Sequence, residues 1–224
     1  SVAAGRVNIA QMLYTAARSR DAKVYLDDAV AELIDLSQAY PQVAVYREAK
    51  AHCLATLAMV LRDLNEDDLT EAAFAGSDEA FRWLYEDFPD RLQYRGDLGI
   101  SLMGWGRAKQ KSGDLAEAES LYKDAIDSLE FVIDQSDSQV SYRDGLAWCN
   151  YYLAKLYSQQ NKSLAALPFY KRALSIRDEM PDLPQYRRSL ISLLCEPSEV
   201  AIQQPDRAVE LAKELCNQVE DNPD

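Results

Sequence analysis

The 224-residue sequence predicts an all-α fold, a right-handed α-solenoid of about five antiparallel helical hairpins. Three observations carry that expectation. Tyr-Arg pairs recur at Tyr46-Arg47, Tyr94-Arg95, Tyr142-Arg143 and Tyr186-Arg187, spaced by 48, 48 and 44 residues. Apolar side chains on both sides of the intervening turn residues follow helical spacing, and no useful stretch alternates with the period of a strand. Self-similarity at such a period marks stacked units, each too small to bury its apolar face alone.

The hairpins are expected at approximately 1–40, 41–88, 89–136, 137–180 and 181–224, within one domain spanning 1–224. In the first, residues 3–18 and 21–39 read as helices ending before Pro41. In the second, Leu54, Leu57 and Leu61 form an apolar stripe, and Asn65-Glu66-Asp67 makes the turn. The third is the clearest. Tyr94, Leu98, Leu102 and Trp105 share one helical face, and Ser112-Gly113 breaks the helix. Asp114 with Glu117 reads as a capping box for the next stripe, Leu115, Ala118, Tyr122, Ala125, Ile126, Leu129 and Ile133. The fourth repeats the pattern through Leu146, Leu153 and Tyr157, turning at Gln160-Asn161-Lys162-Ser163. The fifth, over 185–195 and 206–219, is shorter, and Pro197 interrupts its first helix, so it reads as a cap. A proline stands five residues before Tyr46, Tyr94 and Tyr186 (Pro41, Pro89, Pro181), and Asp137 takes that place before Tyr142. The four Tyr-Arg pairs are expected to bury the ring between hairpins and to bond the guanidinium to carbonyls at the preceding helix end.

Gly106, Gly113-Asp114, Ala118, Tyr122 and Ala125 resemble the tetratricopeptide repeat, and Ala154, Asn161, Ala166, Tyr170 and Ala173 restate the pattern. The run from Ala165 to Leu174 resembles the longer repeats of the kinesin light chain type, and Pro205 to Ala212 resembles a terminal repeat. Small residues at 106 and 154 let paired helices approach, while Tyr122 and Tyr170 fill the space between hairpins. The period exceeds the family's usual one by about two turns per helix, and Glu196 replaces an expected small residue. Some bacterial multidomain signalling proteins append arrays with this Tyr-Arg phrasing to other modules, including Ser/Thr kinase domains.

What the resemblance implies is a protein–protein interaction scaffold that binds a peptide or partner protein in a concave groove lined by the first helix of each hairpin. Carrying the family's groove positions across gives Val7, Gln11 and Tyr14; His52, Ala55, Met59 and Arg62; Ile100, Met103, Arg107 and Gln110; and Trp148, Tyr151, Lys155 and Ser158. These positions include three cations and no carboxylate. Arg62, Arg107 and Lys155 are therefore expected to meet acidic side chains or a terminal carboxylate, and Met59, Met103, Trp148 and Tyr151 to meet apolar residues. The alternative is that the longer helices shift the register and pack these side chains in the core.

Composition excludes some partners. A net charge of -13 disfavours a nucleic-acid backbone and an anionic membrane surface, and no apolar run of about 18 residues exists to span a bilayer. Cys53, Cys149, Cys195 and Cys216 lack metal or redox spacing. Cys53 and Cys149 hold equivalent places in different repeats, so they are expected to be core thiols in a reducing, cytoplasmic setting. The sequence opens on Ser1, which leaves room for excision from a longer protein, with a targeting segment or further domain outside it.

No catalytic, cofactor-binding or metal-binding residue is expected. His52 is the single histidine, so a nucleophile–histidine set has nothing to spare. Asp67-Asp68-Leu69-Thr70-Glu71 resembles an aspartate-rich metal motif, but acidic residues suit a helix start in any case. Asp134-Gln135-Ser136-Asp137 lacks the Gly and Glu of a calcium loop, and Gly96, Gly99, Gly104 and Gly106 follow no nucleotide spacing. Two other classes stay open, a regulatory sensor segment binding a small ligand or its own parent chain, and an all-α enzyme. RNA-binding helical repeats are more remote.

Overall fold

The computed structural model describes residues 2–136 and 140–180, with 186, 190 and 191. Among them are eight α-helices and no strand, so the all-α expectation holds. They are α1 (Val2–Thr15), α2 (Ser19–Ala39), α3 (Ala44–Leu64), α4 (Asp67–Asp87), α5 (Leu92–Ser112), α6 (Leu115–Gln135), α7 (Val140–Gln159) and α8 (Ser163–Asp178). The expected fifth hairpin, with Pro181, Arg187, Cys195, Glu196, Pro197 and Cys216, lies outside the described residues, as does Asp137. The chain forms two compact units, Ser1–Ser128 and Leu129–Asp224.

The helices are long because the sequence gives them few reasons to stop. α2 to α6 each run 21 residues, with breaks only where the backbone is turned by a specific residue. Inside each hairpin that residue sits in the left-handed region: Ala17 (φ 58), Asn65 (φ 61), Gly113 (φ 92) and Asn161 (φ 57). These positions are 48 residues apart, so the period of the sequence is the period of the turns. At Gly113 the Asp114 N–H donates to the Lys109 carbonyl at 3.0 Å, and at Asn65 the Glu66 N–H donates to that of Leu61 at 3.0 Å. Carbonyls at the helix end are satisfied in this way without a long loop. Between hairpins, Tyr40 and Phe88 close α2 and α4 ahead of Pro41 and Pro89, and the chain re-enters a helix three residues later.

The capping box is half present. The Glu117 N–H donates to Asp114 Oδ1 at 3.2 Å, but the Glu117 carboxylate turns away to Lys109 at 2.8 Å. A cation near the end of α5 competes for it more strongly than a backbone amide would.

Packing follows the repeat. Ala10, Ala58, Gly106 and Ala154 are buried at 48-residue intervals, one in each first helix. At Gly106 the reason is steric, because a Cβ there would lie 2.8 Å from the Tyr122 ring. Tyr122 and Tyr170 are both fully buried; the Tyr122 ring packs on Gly106 and Tyr170 meets Tyr151 edge-on at 6.0 Å, contacts within a hairpin where the sequence pointed to the space between hairpins. In the first unit, Leu26, Leu33, Leu57, Leu61 and Phe74 belong to one apolar core, and each such side chain removed from water contributes roughly 1.5–3 kcal/mol. Cys53 and Cys149 are buried free thiols, and burial pushes the Cys53 thiol up to about 12.

Another structural expectation is corrected. Tyr94 and Tyr142 are buried, but Tyr46 is only half-buried, and the Arg47 guanidinium does not cap a helix end. It lies 3.7 Å from the centre of the Trp83 ring. An aromatic face accepts a weakly hydrated guanidinium as readily as a carbonyl does, and the spacing of the pair carries no sign of which is chosen. The carbonyl-capping role is replaced here by a stack between α3 and α4.

Candidate binding face of the first unit

α3 and α5 are each packed on α4, and His52, Ala55, Met59 of α3 and Asp97, Ile100, Gly104 of α5 face one cleft. They line a cleft of 140 Å³ with Phe74 and Phe81 of α4 among its walls. Gly104 makes room for that wall, since a Cβ there would come within 3.1 Å of the Phe74 ring. The cleft is mainly apolar, and His52 and Asp97 are its ionisable lining residues.

At one end His52 Nε2 stands 3.3 Å from Asp97 Oδ2, and its ring meets Phe81 edge-on at 5.0 Å. Burial favours the neutral imidazole, but the hydrogen bond and charge of Asp97, with Glu48 adding to them, hold His52 above its usual 6.5. Further along α3 lies a second ionic cluster. Asp63 accepts from Tyr14 Oη at 2.6 Å and from Arg62 Nη2 at 2.9 Å. Burial alone would raise the Asp63 carboxyl, yet Tyr14, Arg62 and the charge of Arg107 bring it below the ordinary carboxylate value. Tyr14 is raised in turn, first by burial and then by Asp63. Arg62 is buried, and its Nη1 has no hydrogen-bond partner.

Of the residues singled out in sequence, His52, Met59, Arg62, Met103 and Arg107 fall in the first unit. His52 is exposed, and Met59, Met103 and Arg107 are half-buried. Arg62 is buried and pairs with Asp63, which is the more exposed of the two. Two carboxylates outside the predicted positions pair with residues within them, Asp97 with His52 and Asp63 with Tyr14 and Arg62. Asp97 is three residues ahead of Ile100 on the same α5 stripe, so extending the stripe by one turn would have found it. Phe74 and Phe81 come from a second helix, which groove positions taken from first helices alone cannot include.

Trp148, Tyr151 and Lys155 belong to the second unit. Trp148 stacks on Tyr152 at 5.5 Å and meets Tyr151 edge-on at 5.6 Å, while Lys155 Nζ lies 5.6 Å from the Tyr151 ring centre. Sequence reasoning passed over Arg177, which is buried beside Trp148 and paired with Asp144.

The acidic run at 67–71 opens α4, and its Glu71 is held by Lys109 at 2.8 Å. Among the described residues no group of three or more His, Cys, Asp or Glu converges as metal ligands, and no helix is long and apolar enough to cross a membrane.

No family model matches the sequence, and no curated protein matches it either. Solved structures do. Two crystal structures of kinesin light chain nearly identical TPR-like repeats from Podosopora anserina, one a point variant, superpose with TM-scores of 0.56 and 0.55. Each is 14% identical and covers 98% of this chain and 96% of its own. A thermophilic TPR protein of Thermus thermophilus, 18% identical, covers 99% of this chain and 92% of its own at a TM-score of 0.48. At these identities the likeness is one of fold. The chain has the fold of tetratricopeptide-like helical repeats.

Proposed function

We propose that this chain is a non-catalytic interaction scaffold that binds a partner protein through a short segment laid along α3 and α5. One apolar side chain of the partner enters the cleft between His52, Met59, Ile100 and the two phenylalanines. The cleft's size and lining carry this reading. Its 140 Å³ is well below the roughly 300–1,000 Å³ that encloses a small-molecule ligand, and it suits a single side chain. An apolar centre with a polar rim is also the anatomy of a protein–protein contact.

The partner is an acidic segment or a chain terminus. Arg62 keeps an unbonded Nη1 below the surface, and Arg107 adds a second positive charge beside it. A carboxylate arriving there gains charge-assisted hydrogen bonds. Trp148, Tyr151 and Lys155 offer the second unit an aromatic contact of its own, with Met103 adding apolar surface to the first. The net charge of -13 supports a protein partner over a nucleic acid or an anionic membrane.

Peptide display against the intact chain tests this. Enriched sequences are expected to share an apolar residue near an acidic residue or a free carboxyl terminus, and Arg107→Glu is expected to weaken them about tenfold. Absence of enrichment, or unchanged affinity with helicity intact, would contradict the proposal.

A further inference from the structure

α5 has a second side. Arg95, Leu98 and Leu102 stand two residues before Asp97, Ile100 and Gly104 of the cleft, about 200° away around the helix. They floor a separate pocket of 260 Å³, with Arg82 of α4 on one wall and Asp124, Asp127 and Ser128 of α6 on the other. Its size is close to the lower end of the roughly 300–1,000 Å³ that encloses a small ligand.

The polar groups of this pocket are left open by the chain. Arg82 donates through Nε to both oxygens of Asp78 at 2.9 Å, and its Nη groups make no hydrogen bond among the described residues. Asp124 and Asp127, three residues apart on one face of α6, accept none there either. Ser128 is 8% exposed and lines the pocket, yet its hydroxyl has no partner among the described residues. Partial burial, with the charges of Asp127 and Asp78, holds the Asp124 carboxyl above its ordinary value against the pull of Arg82.

The neighbouring repeats show that the fold does not require these groups. One 48-residue period earlier, the places of Arg82, Asp124 and Ser128 hold Ile34, Gly76 and Ala80. One period later, in the second unit, the places of Arg82 and Asp124 hold Glu130 and Arg172, which pair directly. In the first unit the same two charges, with signs exchanged, do not close into an ion pair, and the pocket lies between them.

We infer that this pocket binds a small zwitterion of amino-acid size. Its ammonium sits on Asp124, Asp127 and the Ser128 hydroxyl, its carboxylate on Arg82 with Arg95 beside it, and its carbon chain on Leu98 and Leu102. A ligand of one sign would be repelled by one wall, and a neutral apolar one would desolvate charges without pairing them. A zwitterion gains charge-assisted hydrogen bonds at both ends. The site is distinct from the cleft and does not depend on what the cleft holds.

Calorimetric titration of the 224-residue chain with free amino acids tests this. At least one should bind saturably, and its N-acetyl and carboxamide derivatives should each bind at least about tenfold more weakly. Asp124→Asn combined with Asp127→Asn, and separately Arg82→Gln, should weaken binding by about tenfold or more with helicity retained, while Val24→Glu on α2 should not. The two derivatives need no altered protein, so their result does not hang on how a variant folds. Absence of saturable binding by any amino acid in the millimolar range would overturn the inference. So would equal binding of either derivative, or unchanged affinity in the helical variants.

Discussion

His52 is where a single residue reports most directly on the candidate face. It is the one histidine in the sequence, so its titration is read without ambiguity. Burial lowers its pKa, and Asp97 more than offsets this, so the imidazolium is favoured in the folded state. A folded pKa raised above the unfolded one adds stability that is complete below about 6.5 and is lost as pH rises through the folded value. By NMR, His52 should titrate above 6.5, and Asp97→Asn should bring it to 6.5 or lower. A wild-type value at or below 6.5 would mean that the pair does not form in solution. Neither Asp97 nor Asp63 was legible as a site residue, because groove positions were assigned by family register and each carboxylate sits one step off it. His52, Ala55 and Met59 share the cleft because their spacing along α3 puts them on one helix face.

The turns are the elements that convert sequence period into structure. Gly113, Asn65 and Asn161 are residues that tolerate positive φ, and each was legible as a break. Ala17 was not, since alanine carries no turn signal, and the helix expected to reach residue 18 stops at Thr15 instead. Alanine in the left-handed region costs roughly 1–2 kcal/mol, and Gly loses about 0.5–1 kcal/mol more conformational entropy on folding. Ala17→Gly should therefore stabilise the chain by about 0.5–1 kcal/mol in urea denaturation. A loss of stability would show that the turn does not require the conformation seen. The stack of Arg47 on Trp83 belongs to the same scale. The repeated pair marks Arg47 in the sequence, but the choice between a ring and a carbonyl depends on how α3 and α4 meet.

For the molecule as a whole, the repeat was legible because one packing contact recurs, and recurrence leaves the same residue types at 48-residue intervals. The partner was not, because a binding face is shaped by side chains from several helices that no spacing relates. The claim that matters most is that the α3–α5 cleft holds an apolar side chain of another protein. Titration calorimetry of a display-selected peptide against Ile100→Glu and Val24→Glu tests it most directly. Ile100 lines the cleft, while Val24 is an exposed residue of α2 away from it. The account predicts at least a tenfold loss of affinity for Ile100→Glu and none for Val24→Glu, with both variants fully helical. Equal affinities, or a loss confined to Val24→Glu, would contradict it.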